Sequence, residues 1–162
     1  MSDVMFKGPC KGNIIFFIKG TLLAPMAANE IKKDSWINFR YVDNLVVSGG
    51  GTIDGQGSRS WSFRHCETNT DNRVLPANMG FDFVRNSRIT SLKSVNSKAG
   101  HLNFFAVDHF NITGVNIAAP GNSPNTDGIK IGSSSNMKIW NSHIGTGDDC
   151  IAILSRNTNF DI

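Results

Sequence analysis

Three carboxylates sit in two short turns placed alike in two successive repeats of the chain. Asn125-Thr126-Asp127-Gly128 runs into Ile129 and Ile131, and Gly147-Asp148-Asp149-Cys150 runs into Ile151 and Ile153. Asp127 and Asp149 are 22 residues apart, as are Ile129 and Ile151, and each of these Asp residues precedes its Ile by two. If each repeat is one coil of a stack, Asp127, Asp148 and Asp149 meet on one face. Facing carboxylates are the usual equipment for hydrolysing a glycosidic bond. Taken singly, each motif has a plainer reading. Asp127 before Gly128 suits a turn, and Asp148-Asp149 suits a turn or a calcium ion, since hard cations take carboxylate oxygens. The shared register favours catalysis. Neighbouring strands lie about 4.8 Å apart, so Asp127 and Asp149 are expected to be close. Like charges that close raise one pKa, which is what a general acid needs near neutral pH. Spacing in sequence leaves inversion and retention open, because carboxyl separations of ~6.5–9.5 Å and ~5.5 Å decide between them.

Two further side chains are candidates for binding substrate. Lys130 lies between Ile129 and Ile131, so alternation points it away from the core. There it can meet a sugar carboxylate as a point charge, or simply be solvated. His101 lies three residues before Phe104, one coil before Asp127, and suits either a substrate subsite or a strand corner.

The elements that must position these groups are short strands. Ile37-Asn38-Phe39, Phe81-Asp82-Phe83, Phe104-Phe105-Ala106, Ile129-Lys130-Ile131 and Ile151-Ala152-Ile153 alternate in polarity or size. Their first residues are 44, 23, 25 and 22 apart, and 44 reads as two coils of 22. A second series, Val47, Ile89, Ile112, Ile139 and Ile162, has intervals of 42, 23, 27 and 23. Strands this short cannot bury an apolar face alone, whereas stacked coils build a continuous core. Period-two alternation excludes a helical solenoid. The expected fold is all-β: one right-handed parallel β-helix domain over residues 1–162, with the polar stretch 57–76 as a long loop. Asn29 to Lys33 is the one stretch that suits a helical turn.

Composition agrees. The chain has 162 residues, 18 of them Asn and 16 Gly. Both types tolerate the left-handed backbone of tight corners, and stacked Asn side chains can bond from coil to coil. The longest wholly apolar run, Ile14 to Ile18, is too short to span a bilayer. A net charge of +3 suits a polyanionic substrate without diagnosing one, and the absence of long basic runs argues against nucleic acid. Three cysteines, Cys10, Cys66 and Cys150, leave one unpaired, and no Cys/His cluster suggests a zinc site, so no metal or other cofactor is expected. Ile162 is apolar and in register, with no polar cap after it, and the start leads almost at once into an apolar strand. A solenoid end needs such a cap, so the β-helix is expected to be incomplete at both ends.

The segment SPNTDGIKIGSSSNMKIWNSHIGTGDDCIAIL resembles the active-site region of plant polygalacturonases, and WINFRYVDNLVVSGGGTIDGQG resembles a glycine-rich coil upstream in the same enzymes. Asn96 to Phe105 leans toward the pollen-type exopolygalacturonases. The resemblance runs from about Lys7 to Ile162. It implies a secreted, cell-wall, metal-independent glycosidase that cuts α-1,4-linked galacturonan in pectin with inversion, exo rather than endo, and monomeric when intact. It also implies that Asp148 is the general acid, that Asp127 and Asp149 hold and activate the attacking water, and that Asn125 shapes the site beside Asp127. Two motifs of that family, Gly-His-Gly and Arg-Ile-Lys, are not present here and are expected beyond Ile162, as is the partner of Cys150. On that ground the chain reads as a central portion of the enzyme. Two alternatives stay open: an inactive β-helix fragment that only binds oligogalacturonides or acts as an antigen, and a calcium-dependent pectate lyase, whose local wording fits less well.

Overall fold

The computed structural model describes residues 2–61 and 75–162. Their strands form coils of a parallel stack, each coil contributing in turn to sheets A, B and C. The first coil supplies β1 (Val4–Lys7), β2 (Ile14–Phe17) and β3 (Thr21–Leu23). The second supplies β4 (Ser35–Arg40), β5 (Leu45–Ser48) and β6 (Thr52–Asp54), and the third β7 (Ala77–Asp82), β8 (Arg85–Thr90) and β9 (Lys93–Val95). Coil four runs through β10 (Leu102–Phe105), β11 (Asp108–Thr113) and β12 (Asn116–Ala118). Coil five comprises β13 (Ile129–Gly132), β14 (Ser135–Trp140) and β15 (His143–Gly145), and coil six β16 (Ile151–Ile153) and β17 (Thr158–Asp161). Sheet A therefore orders as β1-β4-β7-β10-β13-β16, sheet B as β2-β5-β8-β11-β14-β17, and sheet C as β3-β6-β9-β12-β15, with every pairing parallel. This is the expected all-β parallel β-helix.

The core is a set of ladders. Phe6, Phe39, Phe81 and Phe104 stack face to face up sheet A, with ring centroids 5.0, 5.6 and 4.8 Å apart. Ile131 continues the row one coil further. Phe110 of sheet B meets Phe81 and Phe104 edge-on. Each buried aromatic contributes about 1.5–3 kcal/mol through area removed from water, and each ring pair about 0.5–1.5 kcal/mol beyond that. The corners repeat as strictly as the strands. Asn44, Asn86, His109, Asn136 and Asn159 all adopt positive φ at one corner, and Tyr41, Phe83, Ala106 and Ser133 do so at another. Asn159 donates its side-chain amide to the Asn136 side-chain oxygen, so the expected coil-to-coil Asn bonding occurs there. Asp108 accepts hydrogen bonds from Ser135 Oγ and Asn136 Nδ2, both 2.7 Å away, and these bonds pull its pKa down to about 2.

Two details of register differ from the sequence reading. The interval of 44 between Ile37 and Phe81 is one coil, not two. β4 pairs directly with β7, with Ile37 opposite Met79 and Phe39 opposite Phe81. The extra residues fall between β6 and β7. Second, β7 and β10 start earlier than Phe81 and Phe104, which sit at the third in-facing level beside Phe39 and Ile131. A slip of two keeps each side chain on its face, so the core assignment survived. Phe83 and Ala106 are the exceptions. Both leave their strands at positive φ, 55° and 53°, and Phe83 stacks on Tyr41 outside the stack.

Of the stretch expected as a loop, the described part carries a one-turn helix, α1 (Ser58–Trp61), whose Trp61 indole donates to the Ser97 carbonyl at 3.0 Å. The remainder, with Cys66, lies outside the described residues. The helical turn expected at Asn29–Lys33 is a single 3₁₀ turn, Ala28–Glu30. Cys10 and Cys150 are exposed free thiols.

Candidate active site

Both acidic turns lie between sheets C and A, at the entry to sheet A strands on adjacent coils. The pairing of Ile129 with Ile151 puts Asp127 level with Asp149, one coil apart. Backbone bonds join the two levels: Gly128 N–H donates to Asp149 O at 2.9 Å and Ile129 N–H to Cys150 O at 3.1 Å. The coils must come this close because the residue at 128 has no Cβ. One there would stand 2.6 Å from the Cys150 carbonyl oxygen.

The three carboxylates have unlike surroundings. Asp127 is buried, and its Oδ2 lies 2.8 Å from Lys130 Nζ. Its backbone carbonyl accepts from His101 N–H at 2.8 Å. Asp148 and Asp149 are exposed. Asp148 Oδ1 accepts from the Asp149 N–H at 2.9 Å, which folds the turn onto itself. Asn125 is exposed at φ 53°, a left-handed conformation that Asn accepts more readily than most residues. Lys130 points outward as expected, but its ammonium is already engaged by Asp127. An ammonium has three donors, and a half-exposed side chain leaves the others open to a ligand.

Of the two places that suit His101, a substrate subsite or a strand corner, it occupies the corner before β10. It is fully buried, with Nδ1 2.9 Å from Ser94 Oγ. Asn78 donates to the same hydroxyl at 3.0 Å. Burial pushes the His101 pKa down to about 4. Alternation along β10 begins at Leu102, and His101 lies in the bend before it, where the chain turns inward.

Ser123 and Thr126, both fully buried between the two turns, were missed by sequence reasoning. The signal was present as the interval of 27 between Ile112 and Ile139. Coil four is four residues longer than coil three, and the surplus falls in 119–128, between β12 and β13. Elsewhere in the described residues a groove of about 370 Å³ is lined by Pro9, Tyr41, Asp43, Phe83, Arg85 and Ala106. It lies at the opposite ends of the sheet A strands, so it is separate from the carboxylates.

The whole chain, residues 1–162, matches Glycosyl hydrolases family 28, and the chain belongs to that family. It is 40% identical over 163 residues to an exopolygalacturonase of Platanus acerifolia, covering 100% of this chain and 43% of that protein. It is 44% identical over 149 residues to an exopolygalacturonase of Zea mays (91% and 36%), and 42% identical over 153 residues to a polygalacturonase of Gossypium barbadense (94% and 38%). The chain thus spans about two-fifths of the length of these relatives. Among solved structures, an exopolygalacturonase from Thermotoga maritima superposes with a TM-score of 0.77 at 19% identity, over 96% of this chain and 46% of that one. A polygalacturonase from Erwinia carotovora gives 0.70 at 22%, over 96% and 52%. These two share the fold.

Proposed function

We propose that the protein carrying this chain hydrolyses α-1,4-galacturonosyl linkages of polygalacturonic acid and pectin, with inversion and by exo attack. The observation that carries this is the level pairing of Asp127 with Asp149 across adjacent coils, with Asp148 beside them, in a chain of this family. Asp148, exposed at the tip of its turn, protonates the departing glycosidic oxygen. Asp127 and Asp149 hold a water and take its proton as it attacks the anomeric carbon from the opposite face. Lys130 anchors the Asp127 carboxylate through the 2.8 Å ion pair, and its remaining donors meet the carboxylate of a galacturonate unit. Asn125, exposed beside Asp127, shapes the rim. His101 is too deeply buried to touch the sugar, and it supports the backbone of Asp127 from the coil below.

The same reading makes the protein secreted to the cell wall and active as a monomer without a metal. None of the described helices is long and apolar enough to cross a membrane. The test is release of reducing ends from polygalacturonic acid, with and without chelator, against an Asp148→Asn control, with NMR of the first-formed anomer. Hydrolysis that survives chelation, yields the inverted anomer and is lost in the control is the expected result. An unsaturated product, or turnover that the control retains, overturns it.

A further inference from the structure

Between the acidic turns lies a polar cluster whose two hydroxyl-bearing residues, Ser123 and Thr126, are buried. Thr126 Oγ1 accepts the Gly147 N–H at 3.0 Å across the coil boundary, lies 2.8 Å from Ser123 Oγ, and is 3.1 Å from the Ser123 carbonyl, to which it donates. Ser123 Oγ also bonds back to the Pro120 carbonyl, closing the bend. Gly147 is pressed onto the Ser123 peptide so closely that a Cβ would run into the Ser123 carbonyl oxygen. Asp127 follows Thr126 directly, and Asp148 follows Gly147 directly. The cross-coil hydrogen bond therefore ties together the two backbones one residue from each carboxylate. The residues that make it possible come from the longer bend of coil four, which holds two buried hydroxyls where the bend of coil three holds one, Ser97.

We infer that Ser123 and Thr126 are positioning residues that set the separation between Asp127 and the Asp148-Asp149 pair. The inference rests on the function proposed above. Inverting hydrolysis needs a gap of about 6.5–9.5 Å between acid and base to admit a water. Ordinary strand pairing brings neighbouring coils to about 4.8 Å, so side-chain direction and turn geometry must supply the rest. A hydroxyl is suited to this work. Thr126 Oγ1 can accept the Gly147 amide while donating to Ser123, which leaves no buried donor unpaired. A methyl in its place fills the same volume and strands the Gly147 amide, which is then free to turn away and carry Asp148 with it.

The test uses Thr126→Val, Thr126→Ser and Ser123→Ala in the full-length protein, with three readouts: kcat and KM on galacturonan oligomers, the pH–rate profile, and hydrogen exchange at the Gly147 amide. Thr126→Val is expected to speed Gly147 exchange at least tenfold, lower kcat by about 10- to 100-fold, leave KM within about threefold, and shift the limbs of the pH profile, because misplacement of reacting groups acts mainly on the chemical step. Thr126→Ser keeps the oxygen and should recover kcat to within about fivefold, the difference that preorganisation of one hydrogen bond supplies. Ser123→Ala should fall between them. If Thr126→Val fails to fold, Thr126→Ser and Ser123→Ala still decide: equal loss in both, with unprotected Gly147 exchange in neither, overturns the role. Wild-type kcat and an unmoved pH profile in Thr126→Val overturn it too, as does a Thr126→Ser protein as impaired as the Val variant. A parent protein that does not hydrolyse galacturonan at all overturns the functional reading first and the positioning role with it, a result distinct from an active parent with indifferent variants.

Discussion

The two acidic turns share a register but not an environment. Thr126 to Gly128 is enclosed: His101 bonds to it from the coil below, Gly128 bonds to the coil above, and Lys130 holds its carboxylate. Gly147 to Cys150 lies in the last coil of this stretch, with both carboxylates exposed and the Gly147 amide held by Thr126 of the coil before it. The repeat delivers both motifs to one edge, and the ion pair to Lys130 then sets Asp127 apart. A buried, ion-paired carboxylate stays put and suits holding a water. Identical spacing in sequence does not imply identical chemistry in space.

The sharpest way to break this comparison is at the carboxylates themselves. Asp148→Asn and Asp127→Asn should each lower kcat by about 10²–10⁴-fold, measured as reducing-end release, while galacturonan binding by calorimetry persists. Near-parental turnover in either variant removes that residue from the site. The next effect concerns the enclosed turn alone. His101 has a folded pKa of about 4, below the ordinary histidine value of 6.5. As pH falls from 6.5 toward 4 the unfolded chain takes up a proton that the folded chain refuses, so this group lowers stability across that window and has no further effect below it. The total loss is about 3 kcal/mol at 1.36 kcal/mol per pH unit. Denaturant melts at pH 4.5 and 7 should show it in the parent and not in His101→Gln. An equal slope in both would mean that other groups cause it.

Smaller effects separate the turns from their surroundings. Gly147→Ala and Gly128→Ala place a Cβ against backbone of the neighbouring turn, and overpacking of this kind costs about 1–3 kcal/mol. Gly145→Ala, two residues from Gly147, meets nothing within 4 Å and should leave the melting temperature unchanged. Equal shifts at 145 and 147 would show that the coils do not meet as described. Smallest of all is Lys130→Gln. Its partly exposed ion pair is worth no more than about 1 kcal/mol of stability, so the melt should scarcely move, while KM on a charged galacturonan rises more than kcat falls. A large melting shift with unchanged KM would make Lys130 a structural residue and nothing else.

Much of this was legible in the chain because a solenoid repeats its own instructions. Val47, Ile89, Ile112 and Ile139 fell into one sheet at the spacings read from sequence. Asp127 and Asp149 became level for the same reason. The errors share a cause as well. Phe81 was aligned with Ile37 rather than Phe39 because period-two alternation repeats every two residues and does not say where a strand begins. The 44-residue interval reads as two coils because extra residues between two strands and a second coil can have the same length in sequence. His101 stays open in sequence between a substrate subsite and a corner because the bend before β10 has no alternation to reveal which way it faces.

The sequence by itself determined the kind of molecule: short alternating strands, positive-φ residues at regular corners and carboxylates in one register admit a parallel stack and little else. Those are local properties, written in residue type and period. Only the tertiary structure decided which carboxylate is enclosed, that Lys130 spends one donor on Asp127, that His101 faces inward, and that Thr126 reaches across to Gly147. The Lys130–Asp127 pair, three residues apart in one coil, depends on which way both side chains turn, and the reach of Thr126 on what a neighbouring coil places opposite it. That neighbour lies more than twenty residues away in the chain, and its side-chain direction is set by packing rather than by period.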